Sequence, residues 1–460
     1  MKKQILWILA VFFFLNSAGQ VALVAKTPPM GWNSWDCFGM DVNEEQMKAT
    51  ADYMAKNMKR YGWEYIVLDM GWNYGEGLDT WNFRMKSPPQ VMDEYGRLIP
   101  NSRKFPSASG GNGLKPLADH VHGLGLKFGI HIMRGIPWQA VEKNTPIKGT
   151  PYKAKDIASS VDACPWFHGM VTVDMTKPGS QEYYDSLIEM YQEWGVDYIK
   201  ADDLLNNPYH RLEIEAIQKA IQKAGRKIVL SLSAGPLEVK EAHHLQKHAN
   251  LWRISGDMWD DWSYIQKTFE YCRTWQYYVM PNNWPDCDML PLGRLRINGT
   301  DGALAKAINV QPETTVNEEA RLTDDEKYSL VTLWTIFRSP LMMGGDLLQM
   351  DKLTKHLLTN KEVISVNQNT TNNREIRATE NESIWVADDP VTGGKYLAMF
   401  NTGADQQALV NVTFQELGIT GKHKVRDLWS KKNLGKFRDS FESSVNSHGC
   451  KLYKITPLSD

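Results

Sequence analysis

The sequence predicts a (β/α)8 TIM barrel of the α/β class, followed by a smaller antiparallel β-sandwich C-terminal domain. Three observations carry that expectation. Short apolar runs alternate with amphipathic stretches from Lys26 to about Gln368, the pattern of a parallel sheet with covering helices. No Gly-x-Gly-x-x-Gly follows the first run, which weakens an open dinucleotide-binding sheet. After about Thr370 the texture changes to short alternating runs separated by turn residues, such as "SIWVADDP", "KYLAMFNTG" and "GCKLYKITPL". The expected boundaries are 1–20 for a leader, 26–368 for the barrel and 369–460 for the β-domain.

The clearest strands are "YIVLD" (65–69), "KFGIHIM" (127–133), "DYIKAD" (197–202), "IVLSLS" (228–233) and "LWRISGD" (251–257). Three more are expected at "GWNSW" (31–35), in the region before "WPDCDML" (284–290), and at "SPLMMGGD" (339–346). Between them, "EEQMKATADYMAKNMKRYG" (44–62) places Met47, Ala51, Met54 and Met58 on one helical stripe and stops at Gly62. "SQEYYDSLIEMYQEWG" (180–195) repeats the pattern before the strand at 197.

A barrel of this type carries its active site at the carboxyl ends of its strands. Those ends are polar here: Asp69, His131 leading to Arg134, Lys200 with Asp202 and Asp203, and Arg253 with Asp257, Asp260 and Asp261, with Trp32 and Trp35 near the first. For Asp203 and Asp260 a helix N-cap is the favoured reading. Lys200 and Asp202 are two apart and share a strand face; Arg253 and Asp257 share one if the strand stays extended. Two carboxylates and two cations from separate strands suit glycoside hydrolysis, one acid attacking and the other protonating the leaving group. A salt-bridge network closing the barrel mouth is the plainer alternative.

In order along the chain, "TPPMGWNSWDCFG", "YIVLDMGW", "GLKFGIHIM", "DYIKADD", "WRISGDMWDDW", "SPLMMGGDL" and "VISVNQ" resemble glycoside hydrolase family 27, the α-galactosidases and α-N-acetylgalactosaminidases. The resemblance implies a retaining enzyme with Asp202 as nucleophile and Asp257 as acid/base. It also implies Trp32 as the aromatic wall of the sugar pocket, Asp69 as a hydroxyl-binding acid, and Lys200 and Arg253 as hydroxyl-binding cations. His131 joins them as a binding residue.

Two departures bear on the sugar. Family α-galactosidases end the second strand in Asp-Asp; here the pair is Asp69-Met70. A thioether is no strong acceptor, so an unpaired sugar hydroxyl there would cost about 1–3 kcal/mol. β-L-Arabinopyranose is α-galactose without the hydroxymethyl group, and "WDCFG", "YGWEYIVLD", "KFGIHIMRGIP" and "WRISGDMWDDW" resemble the β-L-arabinopyranosidase branch. Met70 is therefore a candidate selectivity residue, with galactose the competing sugar. Secondly, "SLSAGP" stands where relatives carry a Cys-containing segment facing the C2 substituent, so Ser233 and Ala234 are expected to line that side. An α-N-acetylgalactosaminidase-like hydrolase is the alternative.

The expected reaction is double displacement, with Lys200 keeping Asp202 ionised and burial or a nearby charge, Asp261 being a candidate, favouring protonated Asp257. No cofactor and no metal are implied. A metal-dependent barrel enzyme built on Asp257, Asp260 and Asp261 is a further class, disfavoured by the lack of neighbouring histidines; a non-catalytic carbohydrate-binding protein is another.

The expected partner is an oligosaccharide or polysaccharide. A net charge of −2 gives no reason to expect nucleic acid. "MKKQILWILAVFFFLNSAGQ" has a secretory leader's layout, predicting export to a periplasm or the cell exterior, with no membrane span in the mature chain. The five cysteines form no Cys-x-x-Cys pair, and no disulfide is assignable; the resemblance leaves Cys37 without the partner usual in the family, since Gly71 precedes Trp72.

Overall fold

The computed structural model describes residues 23–75, 90–205, 208–297, 318–404 and 407–458. The expected leader at 1–20 lies outside them. No described helix is long and apolar enough to cross a membrane.

Eight parallel strands make one curled sheet: β1 (Met30–Asn33), β2 (Tyr65–Leu68), β3 (Lys127–Met133), β4 (Tyr198–Asp202), β5 (Val229–Leu232), β6 (Leu251–Arg253), β7 (Trp284–Asp286) and β8 (Leu341–Met343). Pairing runs β7-β6-β5-β4-β3-β2-β1-β8. The two edges meet through Leu290, whose amide donates to Met342 O at 2.7 Å while Gly344 N donates to Leu290 O at 3.0 Å. This is the (β/α)8-type barrel expected.

The seventh strand is a correction: it lies within "WPDCDML", not before it. Pro285 disguises it, since proline has no amide to give a ladder. Trp284 N and Asp286 O bond toward β6, so Pro285 faces the other side, where β7 has no paired strand.

Alternation along the strands separates two cores. Tyr65, Val67, Tyr198, Val229, Leu251, Trp284 and Met342 pack together inside the ring. Gly31 belongs to that layer because a Cβ there would stand 2.5 Å from Tyr65 O. Trp32, Ile66, Leu68, Ile130, Ile199 and Trp252 face outward into the helical layer.

The main covering helices are α1 (Glu44–Asn57), α2 (Lys115–Gly123), α3 (Ser180–Glu193), α4 (Arg211–Ala224), α5 (Ala242–His248), α6 (Trp262–Trp275) and α7 (Asp324–Phe337). Helix α1 shows how locally they are specified. Asn43 and Gln46 form a capping box, Met47, Ala51, Met54 and Met58 are fully buried, and Gly62 takes the left-handed conformation (φ 100°) that ends the following turn.

The C-terminal β-sandwich has a six-stranded antiparallel sheet running from Thr371 to Pro457, and a two-stranded one pairing Ala408–Thr413 with Ser440–Val445. Ile384, Val386, Leu397, Phe414, Phe441 and Ile455 fill its core. It is fixed to the barrel at α7, where Trp429 Nε1 donates to Thr332 Oγ1 at 3.0 Å, and at α6, where Trp262 stacks on His448 at 4.1 Å.

Candidate active site

The polar residues predicted from sequence converge at the carboxyl edge of the sheet. Asp69, directly after β2, is buried. Lys200 Nζ, from β4, stands 2.8 Å from Asp69 Oδ2, and Asn33 Nδ2 donates to the same oxygen at 2.6 Å. Met70 N donates to Asp69 Oδ1 at 2.8 Å. Burial opposes the Asp69 charge, yet the Lys200 and His131 charges outweigh it and hold the carboxyl well below the usual range. Burial likewise opposes the Lys200 charge, and Asp69, with Asp288 and Asp202, more than restores it, raising the ammonium. A lysine in a buried strand is thus held by acids from three strands or their following loops.

Asp202, the last residue of β4, is 15% exposed at its side chain. Its Oδ2 lies 3.1 Å from His131 Nε2 on β3, and its Oδ1 accepts the Asp203 amide at 2.7 Å. Burial pushes Asp202 toward protonation; His131 first, then Lys200 and the amide, bring it below its ordinary value. The cation expected to keep Asp202 ionised was Lys200, and His131 exceeds it.

Asp257 is reached differently from the expectation of one extended strand. β6 ends at Arg253, and the following loop returns Asp257 to it: Arg253 Nη2 is 3.3 Å from Asp257 Oδ1 and donates to Gly256 O at 2.5 Å. Asp257 is 67% exposed at its side chain. Arg253 Nη1 pairs with Asp288 at 2.8 Å. Against burial, Asp288, Asp257, Asp286 and Asp202 all favour the guanidinium charge, so Arg253 sits electrostatically between the two candidate catalytic acids.

Met70 is buried among Met40, Tyr74, Met133, Cys164, Phe167 and Met170, with half-buried Trp35 against the same cluster. Ser233, following β5, is buried; its Oγ and Arg253 Nε have no hydrogen-bond partner among the described residues.

Trp32 is a correction. It is fully buried, it packs among the helix-facing residues, and its Nε1 donates to Gly345 O at 2.9 Å. Its parity is opposite to Gly31 and Asn33, so it cannot wall a pocket inside the ring. Trp35 touches both the interior layer and the Met70 cluster.

Asp203 and Asp260 are not helix caps. Asp203 has a left-handed backbone (φ 61°); its Oδ2 lies 2.9 Å from Arg134 Nε, and α4 begins only at Arg211. Asp260 accepts from Arg296 Nη2 at 2.9 Å and Arg321 Nε at 3.1 Å. Burial opposes its charge, but both guanidiniums hold it down at about 2. Asp261 caps α6, accepting the Ser263 amide at 2.9 Å. The three acids 257, 260 and 261 are therefore spoken for by arginines and a helix end, and form no metal cage.

Two buried acids were not singled out from sequence. Asp288 accepts the Met258 amide at 2.8 Å as well as pairing with Arg253; burial, with Asp257 and Asp286 adding, pushes it up to about 6 although Arg253 pulls the other way. Asp36 is fully buried, and burial, then Asp288, raises it well above the carboxylate range. "WPDCDML" held the signal for Asp288: one acid ending a strand and a second two residues on. All five cysteines are buried and free, Cys272 and Cys287 with sulfurs 3.5 Å apart.

A pair of carboxylates, each beside a basic side chain, at the carboxyl edge of a parallel barrel suits a glycoside hydrolase. The chain belongs to glycoside hydrolase family 27: the family model described as alpha galactosidase A matches residues 27–140, 168–308 and 307–369, and the alpha galactosidase C-terminal beta sandwich domain matches 379–455. A family 27 β-L-arabinopyranosidase from Geobacillus stearothermophilus superposes with a TM-score of 0.88 at 44% identity over 94% of this chain and 97% of that one. A variant of it in complex with arabinose gives a TM-score of 0.89 at 44% identity over 95% and 98%. An α-galactosidase of Cyamopsis tetragonoloba is 28% identical over 95% of this chain and 88% of its own length.

Proposed function

We propose that this hydrolase releases terminal β-L-arabinopyranose in preference to the stereochemically equivalent α-D-galactose, from plant-type glycans, by double displacement. Asp202 attacks the anomeric carbon, and protonated Asp257 gives its proton to the departing oxygen. Asp257 then takes a proton from water, which displaces the sugar from Asp202 with net retention. This chemistry calls for carboxyl groups about 5–5.5 Å apart.

The depressed pKa of Asp202 supports its role as nucleophile, since attack needs the carboxylate. The exposure of Asp257 suits an acid that must reach a leaving group. Lys200, Asp69 and Arg253 are the hydroxyl-binding groups, with Ser233 Oγ on the C2 side and Trp35 as the ring against the apolar sugar face.

The pentose preference rests on one observation: the position after Asp69 is a buried methionine in an apolar cluster. A C6 hydroxyl arriving there loses water and gains no strong acceptor, at about 1–3 kcal/mol, or roughly 5- to 150-fold in kcat/KM. The test compares kcat/KM for nitrophenyl β-L-arabinopyranoside and nitrophenyl α-galactoside. The pentoside should win by at least about fivefold; parity or the reverse order rejects the preference. On the pattern of residues 1–20 we also propose that the enzyme works after export, in a periplasm or outside the cell.

A further inference from the structure

A second cluster of polar side chains lies in the helical layer, on the two helices that follow β4 and β5. α4 carries Glu215, and α5 carries His244 and His248, which are four apart and so share one helix face. One ligand atom from each of the three lies within 4.8 Å of the other two. The imidazole rings are 4.4 Å apart between centroids. His244 Nε2 stands 3.3 Å from Glu215 Oε1.

From this geometry we infer a binding site for a zinc-class divalent ion, held by Glu215, His244 and His248 and tying α4 to α5. Two nitrogens and one carboxylate oxygen are the donors such ions take, whereas calcium and magnesium demand oxygen throughout. Donors around a tetrahedral zinc at about 2.0–2.1 Å stand roughly 3.3 Å from one another. The His244–Glu215 pair already has that separation, and a modest swing of His248 completes the triangle. Three protein donors leave a fourth position for water.

Two independent features point to a ligand. His248 is 7% exposed, and its Nδ1 has no hydrogen-bond partner among the described residues. A His244–Glu215 hydrogen bond alone accounts for two of the three residues and leaves that buried nitrogen unexplained. Next, His244 Nδ1 lies 2.7 Å from the Tyr209 hydroxyl. A histidine that ligates through Nε2 carries its proton on Nδ1 and needs an acceptor there, the role Tyr209 fills. Three cations act on the cluster, Arg211 and Lys219 on α4 and Lys247 on α5; Arg211 is paired with Glu241 at 2.5 Å, and the half-buried Glu215 leaves the ion a way in.

The experiment uses the full chain without an affinity tag, stripped with a chelator and titrated with Zn²⁺ by calorimetry, with melting followed in parallel. One equivalent should bind with micromolar or tighter affinity and raise the melting temperature. His248→Ala should abolish that equivalent. Tyr209→Phe, which keeps all three donors, should weaken it about 10- to 100-fold. Should His248→Ala fail to fold, Glu215→Gln takes its place as the ligand-loss variant. Failure of the stripped wild type to take up one equivalent overturns the site, as does uptake undiminished in the ligand-loss variant.

Discussion

Replacing His131 by phenylalanine isolates the strongest local influence on Asp202, the proposed nucleophile. The ring keeps its place in β3, and only the donor is lost. In the wild type, His131 Nε2 stands 3.1 Å from Asp202 Oδ2, and both side chains are largely withdrawn from water. A hydrogen bond to a charged group of this kind is worth about 1.5–3 kcal/mol. At 1.36 kcal/mol per unit, the Asp202 pKa should rise by about 1–2 units. Lys200 and the Asp203 amide at 2.7 Å remain and keep the variant active at neutral pH.

The assay is log kcat/KM against pH on an aryl glycoside, which reports the free enzyme's essential groups. The acid limb should move upward by about 1–2 units, with the neutral plateau falling much less. A second readout fixes the sign. Asp202 titrates below its unfolded value of about 3.9, so its contribution to stability is complete above that pH and is lost as pH falls through the folded value. Asp69 has the same sign and also feels His131. The stability gap between wild type and variant should therefore be full at neutral pH and close in acid. An acid limb that stays in place, with a gap independent of pH, would refute the assignment of His131 as the group that keeps Asp202 ionised.

Asp202→Ala and Asp257→Ala should each lose on the order of 10⁴-fold or more in kcat on a substrate with a poor leaving group, the scale for losing a nucleophile or its acid; near-normal turnover in either removes its role. Lys200→Met leaves the buried Asp69 carboxylate without its ammonium and should lower unfolding free energy by about 3–5 kcal/mol in denaturant titrations, an effect under about 1 kcal/mol meaning that the pair carries no weight. Met70→Asp should move the kcat/KM ratio toward the galactoside, while the new acid, placed beside Asp69 in an apolar cluster, costs about 2–4 kcal/mol of stability; an unchanged ratio in folded variant excludes Met70 as the selectivity residue. Chelation should leave turnover intact below the melting transition, because Asp257, Asp260 and Asp261 are engaged by arginines and a helix end; its loss would put a metal into the reaction.

The limits of what sequence revealed follow from where each residue's position is decided. Strand interiors obey a period of two, so Lys200 and Asp202 were correctly placed on one face from spacing alone. Trp32 obeys the same rule, but its face follows only once the interior layer is known from Gly31, Tyr65 and Tyr198, residues on separate strands. Beyond a strand's end the period no longer applies. Asp203, Asp257 and Asp288 are set by loop dihedrals, two of them with positive φ, and by cations arriving from elsewhere in the chain. Local propensity favours a cap for an aspartate after a strand, and a buried guanidinium overrides it because an arginine left unpaired in that layer would cost more than a cap provides. The same balance explains the polar strand ends as a group. Asp69, Asp202, Asp203, Asp260 and Asp288 each face a basic side chain from another strand or loop, so most of the charge at this edge is paired. Asp257 also faces a guanidinium, that of Arg253 at 3.3 Å, yet it keeps most of its side chain in water.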